Sequence, residues 1–239
     1  MDGNSRYAQA SGWRLSAGHE AGVAALRRAV AAAGRFGVTA LTVYAFSEEN
    51  WGRDASEVAF LLGLFERALA EELPALEAAA VRLRFIGERG RLPRALVRAM
   101  ESAEARTAGN GGLLLTVAVS YSSHADIAAA AARLAAAAAA GAITPAQITP
   151  AALAAELSTA GGGAGPVDLL IRTSDTQRLS NFLLWELAYA ELVFEPALWP
   201  AFGGEHLERA LRQFAARERR FGGRRPAGGG GGAGGGGVR

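Results

Sequence analysis

Four apolar runs of strand length are spaced along the chain. Val38 to Phe46 (VTALTVYAF) is β-branched and aromatic, as a buried strand requires. Val81 to Ile86 (VRLRFI) alternates, with Val81, Leu83 and Phe85 on one face. Leu113 to Val119 and Val167 to Ile171 complete the set. Helical periodicity fills the intervals. Its clearest instance places Val58, Leu61, Leu62, Phe65, Leu69, Leu73 and Leu76 at steps of three and four, one apolar stripe. Further helices are expected near 19–35, 93–107, 124–140, 150–158 and 205–220.

Strands alternating with helices predict an α/β fold: a mostly parallel central sheet surrounded by helices. Ligands in such sheets bind beyond the carboxyl ends of the strands. The segments found there are polar: SEENWGR after Phe46, SYSSHAD after Val119 and RTSDTQRLSN after Ile171. MDGNSR at the start would join the same rim if a strand preceded it.

With 239 residues, half of them hydrophobic, the chain can bury one sizeable core, so one domain is expected. A net charge of +2 does not mark a general nucleic-acid binder. The chain has no cysteine, which excludes disulfides, thiol nucleophiles and cysteine-bound zinc. All 25 basic residues are arginine, which excludes Schiff-base chemistry and a lysine-dependent P-loop. An anion must then be held by Arg, His, hydroxyls, backbone N–H groups or a metal. No run of about 18 apolar residues suggests a membrane span, and no signal peptide precedes Asp2. The Gly-rich stretch 224–239 reads as a low-complexity tail, leaving 1–223 as the folded domain.

Several stretches carry candidate chemistry. Arg172 ends a strand, and Arg178 is expected to enter a helix. With Thr173, Ser174 and Ser180 the two arginines suit a diphosphate, although the same pattern also describes two exposed arginines and a capping serine. Ser47, Asn50, Trp51 and Arg53 suit substrate positioning, or else a helix start capped by Ser56 with Glu48 and Glu57 near its positive end. His19, His124 and His206 lack the spacing of a zinc site. Asp2 and Glu191 are hard-oxygen candidates for Mg²⁺.

The ordered segments MDGNSR, AGHEAG, LTVYAFSEENWGR, DLLIRTS, RLSNFLLWELAYAEL and RERRFGG resemble the cis-prenyltransferases, which include undecaprenyl and dehydrodolichyl diphosphate synthases. The likeness spans roughly residues 1–223, and the MDGNSR and SAGHEAG variants look most like plant or algal members. It implies a Mg²⁺-dependent enzyme, usually dimeric. Such an enzyme adds isopentenyl diphosphate to an allylic diphosphate of farnesyl or geranylgeranyl type, each new double bond being cis. The products are polyprenol or dolichol precursors. The implied fold has an apolar tunnel, which the 58–76 stripe would line if it is not simply core.

Residue by residue, the resemblance makes Asp2 the catalytic aspartate that holds Mg²⁺ on the allylic diphosphate. Gly3, Asn4, Ser5 and Arg6 become its cradle, with His19 and Arg53 as further contacts. Ser47 and Asn50 fall near the condensation site, where Asn50 is a candidate for assisting proton loss. Trp51 matches a neighbouring aromatic. Arg172, Arg178 and Ser180 match the isopentenyl diphosphate pocket, and Glu191 an acidic residue that helps place the metal. Arg220, with Phe221 and Gly222, matches a motif whose arginine reaches across a dimer.

This chain departs from the family pattern at several points. Asp175 and Thr176 stand where Gly and Glu are usual. Tyr7 replaces a tryptophan, Tyr121 to His124 replace a Gly-rich turn, and Leu15 lies where bacterial members place an arginine. Members work in the cytosol, at the endoplasmic reticulum or in plastids. The family also runs an apolar strand directly into its MDGN loop, so that strand is expected to be missing upstream of Asp2. Two alternatives stay open: a short-chain or irregular terpene diphosphate synthase of the same fold, and a weakly active subunit supporting a partner prenyltransferase.

Overall fold

The computed structural model describes residues 1–163 and 165–218. Three parallel strands form the larger sheet, in the order β1 (Ala40–Ser47), β3 (Leu114–Tyr121), β2 (Arg82–Ile86). All eight residues of β3 are buried. LLTVAVSY has no polar face because a central parallel strand is covered on both sides. On β2, Leu83 and Phe85 point into the core as the alternation predicts, with Val81 buried just before the strand. A second sheet pairs β4 (Leu169–Thr173) with β5 (Glu191–Glu195), also in parallel. The parallel α/β layout is therefore as expected, but the sheet is in two pieces. The sequence reading also missed β5, whose five residues ELVFE are short and bracketed by glutamates.

Helices pack around the sheets: α1 (Asn4–Ala10), α2 (Leu15–Arg35), α3 (Ala55–Ala78), α4 (Arg94–Thr107), α5 (Ser123–Ala139), α6 (Pro150–Glu156) and α7 (Gly204–Ala215). The stripe on α3 is core: Val58, Leu62, Leu69 and Leu73 are buried against the larger sheet. Asp54, not Ser56, occupies the cap position of α3. Residues 4–10, which lie outside the expected helices, form α1.

The AGHEAG segment explains how α1 docks. Gly18 and Gly22 lie one turn apart on α2, and a Cβ on either would run into Asn4. On Gly22 it would stand 2.5 Å from Asn4 Oδ1 and 3.2 Å from Trp199. Two glycines thus let the start of α1 rest directly on α2. Trp199 seals the junction by donating from Nε1 to the Gly22 carbonyl at 2.8 Å.

Candidate active site

Asp2 sits at the carboxyl end of β4. Its backbone N–H donates to Thr173 Oγ1 at 3.0 Å, and the Thr173 hydroxyl donates back to the Asp2 carbonyl at 3.0 Å. The Trp199 N–H reaches the same carbonyl at 2.9 Å. Gly3 follows with φ 104°, and a Cβ there would meet the Leu198 side chain at 2.9 Å. A non-glycine at this turn would be both strained and crowded.

Two arginines converge on the Asp2 carboxylate. Arg172 Nη2 lies 3.3 Å from Oδ2, and Arg6 Nη2 lies 3.5 Å from Oδ1. Arg172 Nη1 also donates to Ser180 Oγ at 2.9 Å and to the Arg178 carbonyl. Arg6 donates to Ser174 Oγ at 2.5 Å. Burial works against ionising Asp2, but the Arg172 hydrogen bond and charge, a Thr176 hydroxyl and the Arg6 charge outweigh it. The carboxyl is held below its usual value and is ionised at neutral pH. Burial also pushes the Met1 α-amino group down to about 6, against the pull of Asp2.

The loop that carries these contacts is strained. Ser174, Asp175, Ser180, Asn181 and Leu183 all have positive φ. Asp175 stands at φ 52°, so the substituted glycine position keeps a backbone conformation natural to glycine. Asn181 anchors the loop. Its Nδ2 donates to Ser122 Oγ at 2.8 Å and Glu49 Oε1 at 3.1 Å, and its Oδ1 accepts from the His124 N–H at 2.9 Å. Arg178 does not enter a helix; it lies in this irregular segment.

A cavity of about 1020 Å³ opens beside the rim. Asp2, Asn4, Arg172, Arg178 and Ser180 line it from one side. From the other side come His19 on α2, Ser47 and Asn50 after β1, and Arg53. Leu61 is the one residue of the α3 stripe that reaches it. A register shift between Tyr44 and Phe46 bends β1 just before these residues. The Ser47 N–H donates to Asn50 Oδ1 at 3.1 Å, closing a capping box over the turn 48–52. Arg53 pairs with Glu57 at 2.9 Å. His19 packs edge-on against Phe60. Burial, then the Arg53 charge, lowers its pKa from 6.5, with Glu57 opposing.

Several expected members fall elsewhere. Trp51 does not line the cavity: its Nε1 donates to Ser120 Oγ at 2.9 Å and Arg91 lies over its ring, so it braces the β1 and β3 ends. Gly3, Ser5 and Arg6 also lie outside the lining, although Arg6 still reaches Asp2. Glu191 opens β5 beside Leu169, whereas Asp2 lies by Thr173 at the other end of the small sheet. Four residues of strand separate those ends by about 13 Å, and Glu191 instead pairs with Arg217 at 2.7 Å. Parallel strands put the two carboxylates at opposite ends, so Glu191 does not share a metal with Asp2 within one chain. Arg220, Phe221 and Gly222 lie outside the described residues.

Asn181 is a positioning residue that the sequence reading did not single out, and Thr173, named there as a hydroxyl for an anion, instead holds the Asp2 backbone. The signal for Thr173 was its place directly after Arg172 at a strand end. Among the described residues no three His, Asp or Glu side chains cluster as a metal cage. No helix there is long and apolar enough to cross a membrane.

Comparison with known proteins places this geometry. A family profile described as putative undecaprenyl diphosphate synthase matches residues 1–222. An Escherichia coli K12 ditrans,polycis-undecaprenyl-diphosphate synthase, (2E,6E)-farnesyl-diphosphate specific, is 46% identical over 223 residues, 93% of this chain and 87% of that protein. The equivalent protein of Shewanella oneidensis is 45% identical over 93% of this chain and 80% of its own length. A crystal structure of lavandulyl diphosphate synthase from Lavandula x intermedia, in complex with dimethylallyl diphosphate, superposes with a TM-score of 0.90. It shares 34% identity and covers 93% of this chain and 95% of that one. A probable undecaprenyl diphosphate synthase from Campylobacter jejuni gives a TM-score of 0.75 at 31% identity, over 85% of this chain and 92% of that one. The relatives at 45–46% identity are bacterial, which does not support the expected plant or algal type.

Proposed function

The chain belongs to the undecaprenyl diphosphate synthase family of cis-prenyltransferases, and from that premise we propose that it condenses isopentenyl diphosphate with an allylic diphosphate to give a cis-polyprenyl diphosphate. The observation that carries this reading is the meeting of Asp2 with Arg172. The MDGN loop and the end of β4 are separated by 170 positions in sequence, yet they form one charged rim over the cavity.

Ionising an allylic diphosphate puts negative charge on the leaving group. Arg6, Arg172 and Arg178 supply fixed positive charge at this rim, where it acts without reorganising solvent. Asn50 already uses Oδ1 to accept from Ser47, so we assign its Nδ2 as a donor to diphosphate oxygen, in place of the proton-loss role the resemblance suggested. Ser180, held by Arg172, and Arg178 form the candidate isopentenyl diphosphate pocket. His19 and Arg53 complete the opposite wall.

The residues fit Mg²⁺ in the manner of diphosphate enzymes: one ionised carboxylate, Asp2, partly open to solvent, with substrate oxygens as further ligands. When bound, the metal would neutralise diphosphate charge. A homodimer completed by Arg220 and a single domain over 1–223 are part of the same proposal. The test is incubation with labelled isopentenyl diphosphate, farnesyl diphosphate and Mg²⁺. Extended labelled product supports the reading, and no product refutes it. The TM-score of 0.90 to lavandulyl diphosphate synthase favours a second reading, a short or irregular product. Product length separates the two.

A further inference from the structure

Helix α5 is capped from a distance. The first N–H groups of a helix have no partner within it. Here the Ser123 N–H donates to the Asn181 carbonyl at 3.0 Å, and the His124 N–H donates to Asn181 Oδ1 at 2.9 Å. The Ala125 N–H donates to Ser122 Oγ at 3.3 Å. One residue from the loop after β4 thus caps the first two positions, and a local serine caps the third. Asn181 does this at φ 59°, a left-handed conformation that asparagine tolerates better than most residues.

The two serines return the grip. Ser122 Oγ also accepts from Asn181 Nδ2 at 2.8 Å. Ser123 Oγ accepts from the Leu184 N–H at 3.0 Å. Both serines are buried, and neither lines the cavity. Where the family pattern has a Gly-rich turn, this chain therefore places two hydroxyls, and glycine could supply neither bond. The segment they hold is strained. Ser180, Asn181 and Leu183 all have positive φ, and such conformations persist only where the surroundings over-determine them. Arg172 fixes the segment from the β4 side, through the Arg178 carbonyl and Ser180 Oγ. Ser122 and Ser123 fix it from the α5 side, directly beyond Ser180.

We propose that Ser122 and Ser123 are positioning residues for isopentenyl diphosphate. They set where the segment 178–184 stands, and with it Arg178 and Ser180, without touching substrate themselves. The role rests on the reading of Arg178 and Ser180 as the isopentenyl diphosphate pocket. Two features separate it from simple capping of α5. Ser123 Oγ takes no part in the cap, because its bond goes to Leu184 in the segment. Ser122 offers one oxygen both to the helix and to Asn181, so helix end and segment share a single anchor.

The experiment compares Ser123→Ala with the starting chain. Alanine suits a helix and keeps the three cap bonds of α5, while removing the bond to Leu184. Hydrogen exchange read by mass spectrometry reports on segment 178–187. Calorimetry and steady-state kinetics report on each diphosphate. The expected result is about three- to tenfold faster exchange in that segment, with KM and Kd for isopentenyl diphosphate raised by about the same factor, the scale of one hydrogen bond. The KM for the allylic diphosphate stays unchanged. Ser122→Ala is expected to act likewise, and Ser122→Thr, which keeps the hydroxyl, to restore the starting values. If Ser123→Ala fails to fold, the two Ser122 variants carry the same criteria. Unchanged exchange in segment 178–187 overturns the proposal, as does an equal rise in both KM values or a failure of Ser122→Thr to restore. Faster exchange with unchanged affinity for isopentenyl diphosphate has a different meaning. The serines would then hold the segment, but the segment would not be that pocket, so the functional reading falls and the proposal with it.

Discussion

Thr173 holds Asp2 by two reciprocal hydrogen bonds, accepting from its N–H and donating to its C=O, each at 3.0 Å. A hydroxyl is the smallest side-chain group able to do both. The consequence is that an uncharged residue sets where the Asp2 carboxylate stands.

Thr173→Val keeps the shape and removes both bonds. Turnover should fall about 10- to 100-fold, because placement errors near 1 Å are that costly. Thr173→Ser should restore most of it. Steady-state kinetics on the three proteins checks this, and unchanged kcat in the valine variant refutes the clamp.

Asp2→Ala should lower kcat by at least about 100-fold, the scale of losing one preorganised electrostatic group. The far-ultraviolet circular dichroism should stay the same. Near-normal turnover would remove Asp2 from the mechanism.

Arg172 bridges Ser180, the Arg178 carbonyl and Asp2 from one planar group. A lysine ammonium cannot span those directions. Arg172→Lys should therefore raise the KM for isopentenyl diphosphate about tenfold. Because the same guanidinium touches Asp2, kcat should fall too, and an effect confined to the allylic substrate would contradict the assignment.

Gly22→Ala and Gly34→Ala lie on the same helix but should act oppositely. A methyl on Gly22 collides with Asn4 and Trp199, which should destabilise by about 1–3 kcal/mol. Gly34 has nothing within 4 Å of the added carbon, so alanine should be neutral or stabilise by up to about 1 kcal/mol. Urea unfolding of both variants checks the contrast.

His19 titrates below 6.5 because burial, then Arg53, disfavours its cation. The unfolded chain binds this proton first as pH falls. The stability His19 contributes is thus present above 6.5 and lost as pH drops through its folded value. His19→Gln should flatten the acid side of a stability–pH curve measured between pH 7.5 and 5. A curve unchanged by the substitution would show that the imidazole is freely solvated.

Local pattern alone identified β1, β2, β3 and β4, because each is an apolar run bounded by polar turns, and it found the α3 stripe through its spacing. It also selected most of the cavity wall, since residues after parallel strands share one rim. It missed β5, where five residues carry too little periodicity to stand out, and α1, whose residues rest on Gly18 and Gly22 across ten or more positions. The resemblance gave Glu191 a share in placing the metal, yet within one chain β5 holds it at the far end of the small sheet from Asp2. Thr173 read as one more hydroxyl for an anion until the fold brought Asp2 to it across 171 positions. Sequence, then, determined the element types and the chemical inventory, because both depend on neighbours along the chain. The tertiary structure decided which charges meet and which strand ends share a rim, because those depend on packing between residues far apart in sequence.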